Sequence, residues 1–359
     1  MEMREVGGFR LPEAVGYGVA IVALHALGGW IVLGHVSGHP AYLGFAMAAY
    51  LLGLRHAFDA DHIAAIDDTI RYRMRAGDRP LGVGFFFSLG HSTIVLAITL
   101  VTMIAAARLA PALPVLRALG GLIGTAISGA FLVAIGLLNL GTLRERFIAR
   151  RCGSLDPSAT GDGVAPRGFI ARVLGTRLRR SLRHSWQMFP IGMLFGLGFD
   201  TASEIALLAA AAGATASGAS GAMVLALPVL FAAGMSALDT ADGMLMTVIY
   251  GWAATDARRR HTYDLIVTGL SVAVALLIGS IEWLQVLGQV LPGRSVWMRR
   301  LDGIDLQTAG YGVVAAFAAI WLLSLARSRL RAEPRLRAPP ADRYPVRRAA
   351  ANDGGADAP

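Results

Sequence analysis

The sequence predicts an all-α, polytopic membrane protein with eight transmembrane helices. The chain has 359 residues, of which 55% are hydrophobic and only 16% charged, and its mean hydropathy is +0.55. Soluble domains average about 25% charged residues. The apolar residues also fall in long runs, and about 20 consecutive apolar residues are what a helix needs to cross a bilayer. Composition therefore excludes an ordinary soluble domain.

Eight apolar runs are long enough to be spans, and the first is too long for the apolar region of a cleaved signal peptide. The predicted helices cover residues 14–36, 41–66, 83–107, 118–141, 187–213, 222–252, 262–288 and 308–328. They divide the chain into an N-terminal half over 1–141, with helices 1–4, and a C-terminal half over 187–328, with helices 5–8. Residues 142–186 form a basic loop between the halves, and residues 329–359 form a tail predicted to be disordered.

The distribution of arginine predicts the orientation in the membrane. All 33 basic residues are arginine, the net charge is +9, and ten arginines lie between Arg144 and Arg183. The 2–3 and 6–7 loops and the tail are also basic, whereas the 1–2 and 5–6 loops contain no arginine. Basic loops stay in the cytoplasm, so both termini are predicted to be cytoplasmic, in the cell (inner) membrane. Because this charge is explained by the orientation of the loops, it does not indicate nucleic-acid binding. The predicted surroundings of the protein are the lipid bilayer, and no obligatory protein partner is predicted.

A weak internal repeat relates the two halves. FDADHIA at residues 58–64 resembles FDTASEIA at residues 199–206, and FFSLGHST at 86–93 shares the frame Phe-x-x-Gly-x-Ser with LFAAGMSA at 230–237. Helices 2–3 and 5–6 are therefore predicted to be duplicated units. Because three helices separate the starts of the two units, the copies run in opposite directions. Such inverted repeats are a common plan in transporters.

Ionisable side chains lie inside predicted helices 2, 3, 5 and 6, where each costs roughly 2.5–3.5 kcal/mol at a helix centre. Carboxylates and imidazoles predominate, so we predict a site for a divalent cation. Imidazole with carboxylate suits nickel, cobalt, zinc or copper, whereas magnesium and calcium prefer oxygen ligands alone. The candidate metal ligands are His56, Asp59, Asp61, His62 and His91, and the candidate supporting or proton-coupling residues are Asp200, Glu204, Ser236, Asp239 and Asp242.

The spacing within predicted helix 2 leaves the ligand set open. At about 100° per residue, His56, Asp59 and His62 share one face of an ideal helix. Asp61 falls on the far side, so it needs a partner behind the ligands or a locally unwound helix. A buried structural ion network is the alternative interpretation of these residues. Asp67 and Asp68 follow at the cytoplasmic end of the helix, where we expect solvated carboxylates.

The stretch RHAFDADHI at residues 55–63 resembles the helix-2 signature H-x4-D-H of the nickel/cobalt permease family, here His56, Asp61 and His62. FSLGHSTIV (87–95), LGFDTASEI (197–205) and LFAAGMSALDTADG (230–243) resemble the family's third-, fifth- and sixth-helix motifs. The resemblance implies high-affinity uptake of Ni²⁺ or Co²⁺ as the transported substrate, with no prosthetic group. It also implies that the three signature residues are essential for recognition. The family signature emphasises Asp61, whereas the helical wheel favours Asp59 as a ligand, so we keep both residues as candidate metal ligands.

Three other functions are weighed against uptake. Export of the same metals is the main alternative, but related exporters tend to carry a His-rich loop, and the 4–5 loop here has only His184. An intramembrane metal-dependent enzyme would need H-E-x-x-H or several His boxes. Neither occurs in this sequence, so no enzymatic activity is predicted. A passive channel stays open, and so do the choice between nickel and cobalt and the coupling ion.

Overall fold

The computed structural model describes residues 11–37, 39–109, 113–151, 182–198, 202–254, 257–291 and 306–332. Within these residues all regular structure is helical, which confirms the predicted all-α class. The helices are α1 Leu11–Val36, α2 Ala41–His56, α3 Ala60–Arg75, α4 Val83–Leu109, α5 Leu113–Arg151, α6 Met188–Phe195, α7 Ala202–Ala216, α8 Gly221–Ala254, α9 Ala257–Val290 and α10 Leu306–Ala332. A 3₁₀ turn, Ser185–Gln187, precedes α6.

Among the described residues, five helical stretches are long and apolar enough to cross a membrane by themselves: Leu11–Val36, Val83–Ile104, Ala118–Gly141, Gly221–Gly251 and Leu265–Val290. Two shorter stretches, Ser203–Ala216 and Thr308–Ser324, are apolar too. The helix α5 continues to Arg151, so residues 142–151 of the predicted basic loop are helical. Residues 152–181 of that loop, and the tail from residue 333, lie outside the described residues.

Two of the predicted spans are interrupted helices. Predicted helix 2 is divided into α2 and α3 by residues 57–59, and within predicted helix 5 α6 ends at Phe195 and α7 begins at Ala202. At the first break the backbone of Asp59 is extended, with φ −64° and ψ 136°, and its Oδ1 accepts the Ala60 N–H at 2.9 Å. The first amides of a helix have no helical partner, and an aspartate is among the best residues to satisfy one. Asp59 therefore begins a new helix within an apolar run.

The interior of the protein combines an apolar core with many buried polar side chains, and large apolar side chains are exposed on its outer surface. Trp30, Leu33 and Ile104 are each more than 70% exposed. By contrast, most ionisable side chains of α3 and α4 are buried, together with many serine and threonine hydroxyls. Lipid accepts exposed apolar side chains, whereas ionisable groups in a membrane must face one another or a cavity. The distribution matches the predicted membrane setting.

Two helix crossings in the fold are built in the same way. A Cβ on Gly53 of α2 would fall on the carbonyl of Phe231 in α8, and a Cβ on Gly192 of α6 would fall on the carbonyl of Phe87 in α4. The reciprocal glycines make the matching contacts, Gly234 with Tyr50 and Gly90 with Phe189. Small residues let two backbones approach this closely in a membrane. The first half of each interrupted pair thus packs against a long helix of the other predicted unit.

The helix α3 lies between two groups of helices. The first group consists of α1, α2, α4, α6, α7 and α8, and within it α8 packs against α1, α2 and α4. The helices α5 and α9 pack against each other along their length, with Gly129 against Gly279. Contacts from α3 reach α5, α8, α9 and α10. The first turn of α3, directly after the break, is therefore held from both sides.

Candidate metal site

Three buried imidazoles meet at the α2–α3 break. His56 is the last residue of α2, His62 lies in the first turn of α3, and His91 lies in α4. One possible ligand nitrogen from each ring lies within 4.8 Å of the other two. The Nε2 atoms of His56 and His91 are 3.0 Å apart. The interruption lets two imidazoles from one predicted span turn toward a third from its neighbour, and we call these three residues the imidazole cluster.

Each imidazole of the cluster has a carboxylate beside it. Glu204 Oε1, from α7, lies 3.0 Å from His91 Nε2. Asp59 Oδ2 lies 4.0 Å from His56 Nδ1, and Asp239 Oδ2, from α8, lies 4.0 Å from His62 Nδ1. Carboxylates beside imidazoles orient the rings of metal-binding histidines and raise their basicity. The donor set is nitrogen and oxygen, which suits divalent nickel, cobalt, zinc or copper.

Several buried polar atoms at the cluster have no hydrogen bond. Within the described part of the chain these are His62 Nδ1, His91 Nδ1 and Asp239 Oδ2. An unsatisfied buried polar group costs about 1–3 kcal/mol. A cation held by the cluster would offset part of this cost by drawing the carboxylate and the imidazoles together. The unsatisfied atoms at the cluster are compatible with a bound cation.

The predicted supporting residues lie around the cluster in different ways. The Ser236 hydroxyl is 3.0 Å from that of Ser88, so a buried hydrogen bond joins α8 to α4. Asp242 lies in α8 beyond Asp239, and its Oδ2 is sealed from solvent without a hydrogen-bond partner among the described residues. Asp200 lies outside the described residues.

The Asp61 carboxyl group joins the first turn of α3 to α5. Its Oδ1 accepts the backbone N–H of His62 at 2.8 Å, and its Oδ2 lies 3.3 Å from the Ser128 hydroxyl of α5. Ser128 in turn lies 3.0 Å from Glu282 Oε1 of α9. Of the two aspartates that the sequence left open, Asp59 has a carboxylate oxygen 4.0 Å from an imidazole nitrogen, Nδ1 of His56.

Ser128 and Glu282 were not among the predicted site residues. Glu282 is an acidic residue inside an apolar run, GSIEWLQ, of predicted helix 7. That is the same signal that identified the other intramembrane carboxylates, so the sequence could have identified it. Ser128 carries no such signal, because serine is frequent in packed membrane helices.

The expectation that Asp67 and Asp68 are solvated is wrong. Both are at most 1% exposed, because α5, α8 and α9 surround α3 down to its last turns. Asn139 Nδ2 donates to Asp68 Oδ1 at 2.7 Å. Asp67 is the centre of a second network, with partners from α3, α8 and α9: Arg71, Tyr250 and Ser271. These contacts tie α3 to its neighbours at the end opposite the imidazole cluster.

Comparison with known proteins places the chain in a family. The sequence profile of the high-affinity nickel-transport protein family (NicO) matches residues 42–327. The nickel transporter NicT of Mycobacterium tuberculosis is 49% identical over 321 residues, covering 85% of this chain and 86% of that protein. The nickel transporter NixA of Staphylococcus aureus is 41% identical over 311 residues, covering 86% and 92%. The cobalt transport protein NhlF of Rhodococcus rhodochrous is 41% identical over 331 residues, covering 90% and 93%.

No solved structure is significantly similar to this chain. The matched range includes all four sequence motifs, the imidazole cluster and its carboxylates. These three relatives are named for the transport of nickel or of cobalt, and none of the three is named as an enzyme. The apolar helices agree with a protein that resides in a membrane. We conclude that the chain belongs to the high-affinity nickel-transport protein family and is an integral membrane transporter, not an enzyme.

Proposed function

We propose that the protein takes up Ni²⁺ and/or Co²⁺ across the cytoplasmic membrane as a secondary permease and recognises the ion at the imidazole cluster. The observation that carries the proposal is the meeting of three buried histidines from three helices, with ligand atoms within 4.8 Å of one another. The names of the relatives agree with both metals. Nothing in the donor set distinguishes nickel from cobalt.

The ion would exchange its water for imidazole nitrogens, with carboxylates compensating its charge. An isolated dication in a low-dielectric interior is strongly unfavourable, and paired charges reduce that cost. The nearest carboxylates are those of Asp59, Glu204 and Asp239. Because the donors come from separate helices, a small displacement of one helix weakens the site, which a carrier needs in order to release its ion.

The two interrupted helices support a transport mechanism. His56 ends α2 and His62 begins α3 at the first break, and Glu204 lies in the first turn of α7 after the second. Discontinuous helices surround the substrate sites of many transporters. We propose that each interrupted pair crosses the membrane once, giving eight spans with both termini in the cytoplasm. The matching glycine crossings of α2 with α8 and α6 with α4 support the proposed inverted repeat.

The membrane potential is sufficient as an energy source for accumulation. A dication gains about 4.6 kcal/mol per 100 mV on entering a negative interior, twice the value for one charge. Coupling to protons would add to this energy. Asp200, Asp239 and Asp242 keep their proposed supporting or proton-coupling roles.

The proposal is tested by accumulation of radioactive nickel, and separately of cobalt, at nanomolar concentration in cells expressing the protein. His56→Ala is expected to abolish uptake at equal membrane abundance, because it removes a donor from the centre of the cluster. His25→Ala is the matched control, since this histidine bonds the Ile21 carbonyl and the Tyr50 hydroxyl within α1 and α2. Lower metal content than in cells without the protein would reject uptake and favour export.

A further inference from the structure

We propose that Glu282 is a positioning residue for the metal site, which acts through Ser128 and Asp61 on the first turn of α3 and so on His62. The proposal rests on the proposed function of the imidazole cluster and adds two residues, Glu282 and Ser128, to it. Ser128 acts through Asp61 and the backbone of His62, and Glu282 acts through Ser128. Their effect would be on where His62 lies relative to His56 and His91.

The contacts form one continuous chain from α9 to α3. Glu282 Oε1 lies 3.0 Å from the Ser128 hydroxyl, which lies 3.3 Å from Asp61 Oδ2. Asp61 Oδ1 accepts the backbone N–H of His62 at 2.8 Å. Both Ser128 and Glu282 are almost fully buried, at 3% and 2% exposure. A carboxylate buried in a membrane helix is costly and is commonly retained for a functional reason.

The close approach of α5 and α9 sets this chain in place. A Cβ on Gly129 would lie 3.1 Å from the carbonyl of Gly279 and 3.2 Å from the Cβ of Glu282. Two facing glycines therefore bring the neighbouring Ser128 within hydrogen-bond distance of Glu282. The contact follows from the close packing of the α5–α9 interface, so it has little freedom to rearrange.

One hydroxyl hydrogen serves both carboxyl groups. A serine hydroxyl has a single hydrogen to donate, and Ser128 lies within bonding distance of one oxygen of Asp61 and one of Glu282. The positions of the two carboxyl groups are therefore coupled through it. Loss of the Ser128–Asp61 contact removes the hydrogen bond that holds the Asp61 carboxyl from α5, and loss of the Glu282–Ser128 contact removes the partner that orients the Ser128 hydroxyl.

The hydrogen-bond chain from Glu282 through Ser128 and Asp61 acts on one of the three imidazoles, that of His62. His62 belongs to α3, which packs against α5 and α9 as well as α8, whereas α2 and α4, which carry His56 and His91, pack mainly against α8 and its neighbours. The chain from Glu282 therefore sets the position of one ligand against the other two. Outer partners that orient metal ligands typically change metal affinity by about 10–100-fold when they are removed.

The test uses the purified full-length protein in lipid nanodiscs, titrated with Ni²⁺ by calorimetry and with Co²⁺ by its visible ligand-field absorption. Ser128→Ala and Glu282→Leu are each expected to weaken binding by about tenfold. The double variant is expected to be no weaker than the weaker single variant, because both act in one chain. Glu282→Gln retains an oxygen acceptor and is expected to bind within about threefold of wild type.

The cobalt spectrum separates positioning from general damage. A displaced His62 changes the ligand field, so the spectra of Ser128→Ala and Glu282→Leu are expected to shift. Thr99→Val is the matched control: it removes a buried hydroxyl from α4 that donates to a carbonyl of its own helix, at Val95 O. Its binding and spectrum are expected to match wild type.

Unchanged affinity and spectrum in Ser128→Ala, in a protein whose binding is lost in His56→Ala, would overturn the positioning role and leave the proposed function intact. Additive effects of the two substitutions would overturn it as well, as would a Glu282→Gln variant as weak as Glu282→Leu. If Glu282→Leu does not fold, Ser128→Ala decides the matter alone. If wild-type protein binds neither metal, the proposed function fails and the positioning role fails with it.

Discussion

At the scale of single residues, the two aspartates of FDADHI make different contacts because they lie at different positions relative to the break between α2 and α3. Asp59 begins α3 with its backbone extended, its Oδ1 on the Ala60 N–H and its Oδ2 beside His56. Asp61 is two residues later but turns toward α5, where Ser128 lies. Both carboxylates satisfy an amide of the first turn, which has no helical partner. Asp59 also lies beside the imidazole of His56.

Two substitutions separate the two contributions of Asp59. Asp59→Ala removes the helix cap, which is expected to reduce the free energy of unfolding by about 0.5–2 kcal/mol. It also removes the carboxylate beside His56, so Ni²⁺ binding is expected to weaken. Asp59→Asn keeps an oxygen that can cap the helix and loses the charge. Its thermal stability is expected to stay near wild type while its metal affinity falls.

Both properties of the Asp59 variants are measured on purified protein, by thermal unfolding and by Ni²⁺ titration. Equal loss of stability in the two variants would show that capping is not the structural role of Asp59. Wild-type affinity in Asp59→Asn would show that its charge does not serve the ion.

At the scale of helices, the interruptions decide the site. A continuous helix over residues 41–66 would place Asp61 on the face opposite His56 and His62. The break at residues 57–59 separates the two histidines onto different helices, and their ring centroids are 4.6 Å apart. Helical periodicity describes α2 and α3 separately, but it cannot describe the break between them. The interruption between α6 and α7 similarly places Glu204 at the start of a helix and against His91.

The glycine crossings make a prediction at the same scale. Gly53→Ala places a methyl group on the carbonyl of Phe231, and Gly192→Ala places one on the carbonyl of Phe87. Backbone cannot move as a flexible side chain does, so α2 must shift away from α8, or α6 from α4. We expect both variants to lose most of their folded protein in the membrane and most of their metal uptake.

Gly44→Ala is the matched control for these substitutions. Gly44 lies in α2, and a methyl group added there would meet no heavy atom within 4 Å beyond its chain neighbours and its own helix backbone. The variant is expected to behave as wild type when abundance is measured by fluorescence-detected size exclusion. Normal abundance and uptake in Gly53→Ala would mean that the α2–α8 crossing is looser than the structure shows.

At the scale of the whole molecule, the protein has an apolar exterior around polar internal networks. One network is the imidazole cluster with its carboxylates, and a second joins Asp61 to Glu282 through Ser128. The third centres on Asp67 and Arg71. All three include α3, which lies between the two groups of helices.

The proposed orientation is tested with cysteine labelling, for which the chain is well suited because Cys152 is its only cysteine. The arginine distribution predicts that Cys152 is cytoplasmic, so a membrane-impermeant maleimide is expected to label it in inverted vesicles but not in intact cells. Ser217→Cys in a Cys152→Ser background is expected to give the opposite result. Ser217 is exposed directly after α7, in the arginine-free 5–6 loop. Labelling of both positions from the same side would contradict the proposed topology.

The sequence by itself determined the class of the protein and the residue types from which a candidate metal site is predicted. Long apolar runs require helices in a membrane, because a lipid-exposed backbone must satisfy its own hydrogen bonds. The cost of ionisable groups in that setting pointed to His56, Asp59, Asp61, His62 and His91 as candidate ligands, since such groups must face one another or a bound cation. These conclusions depend on residue type and local order, which a sequence states directly.

Only the tertiary structure decided which of these groups meet. The interruption of the second predicted span, the burial of Asp67 and Asp68, and the partnership of Asp61 with Ser128 and Glu282 all depend on contacts between residues far apart in the chain. Helical periodicity assigns a face to each side chain but not the helix that covers it. That choice is made by packing, here by glycines that bring α5 against α9 and α2 against α8.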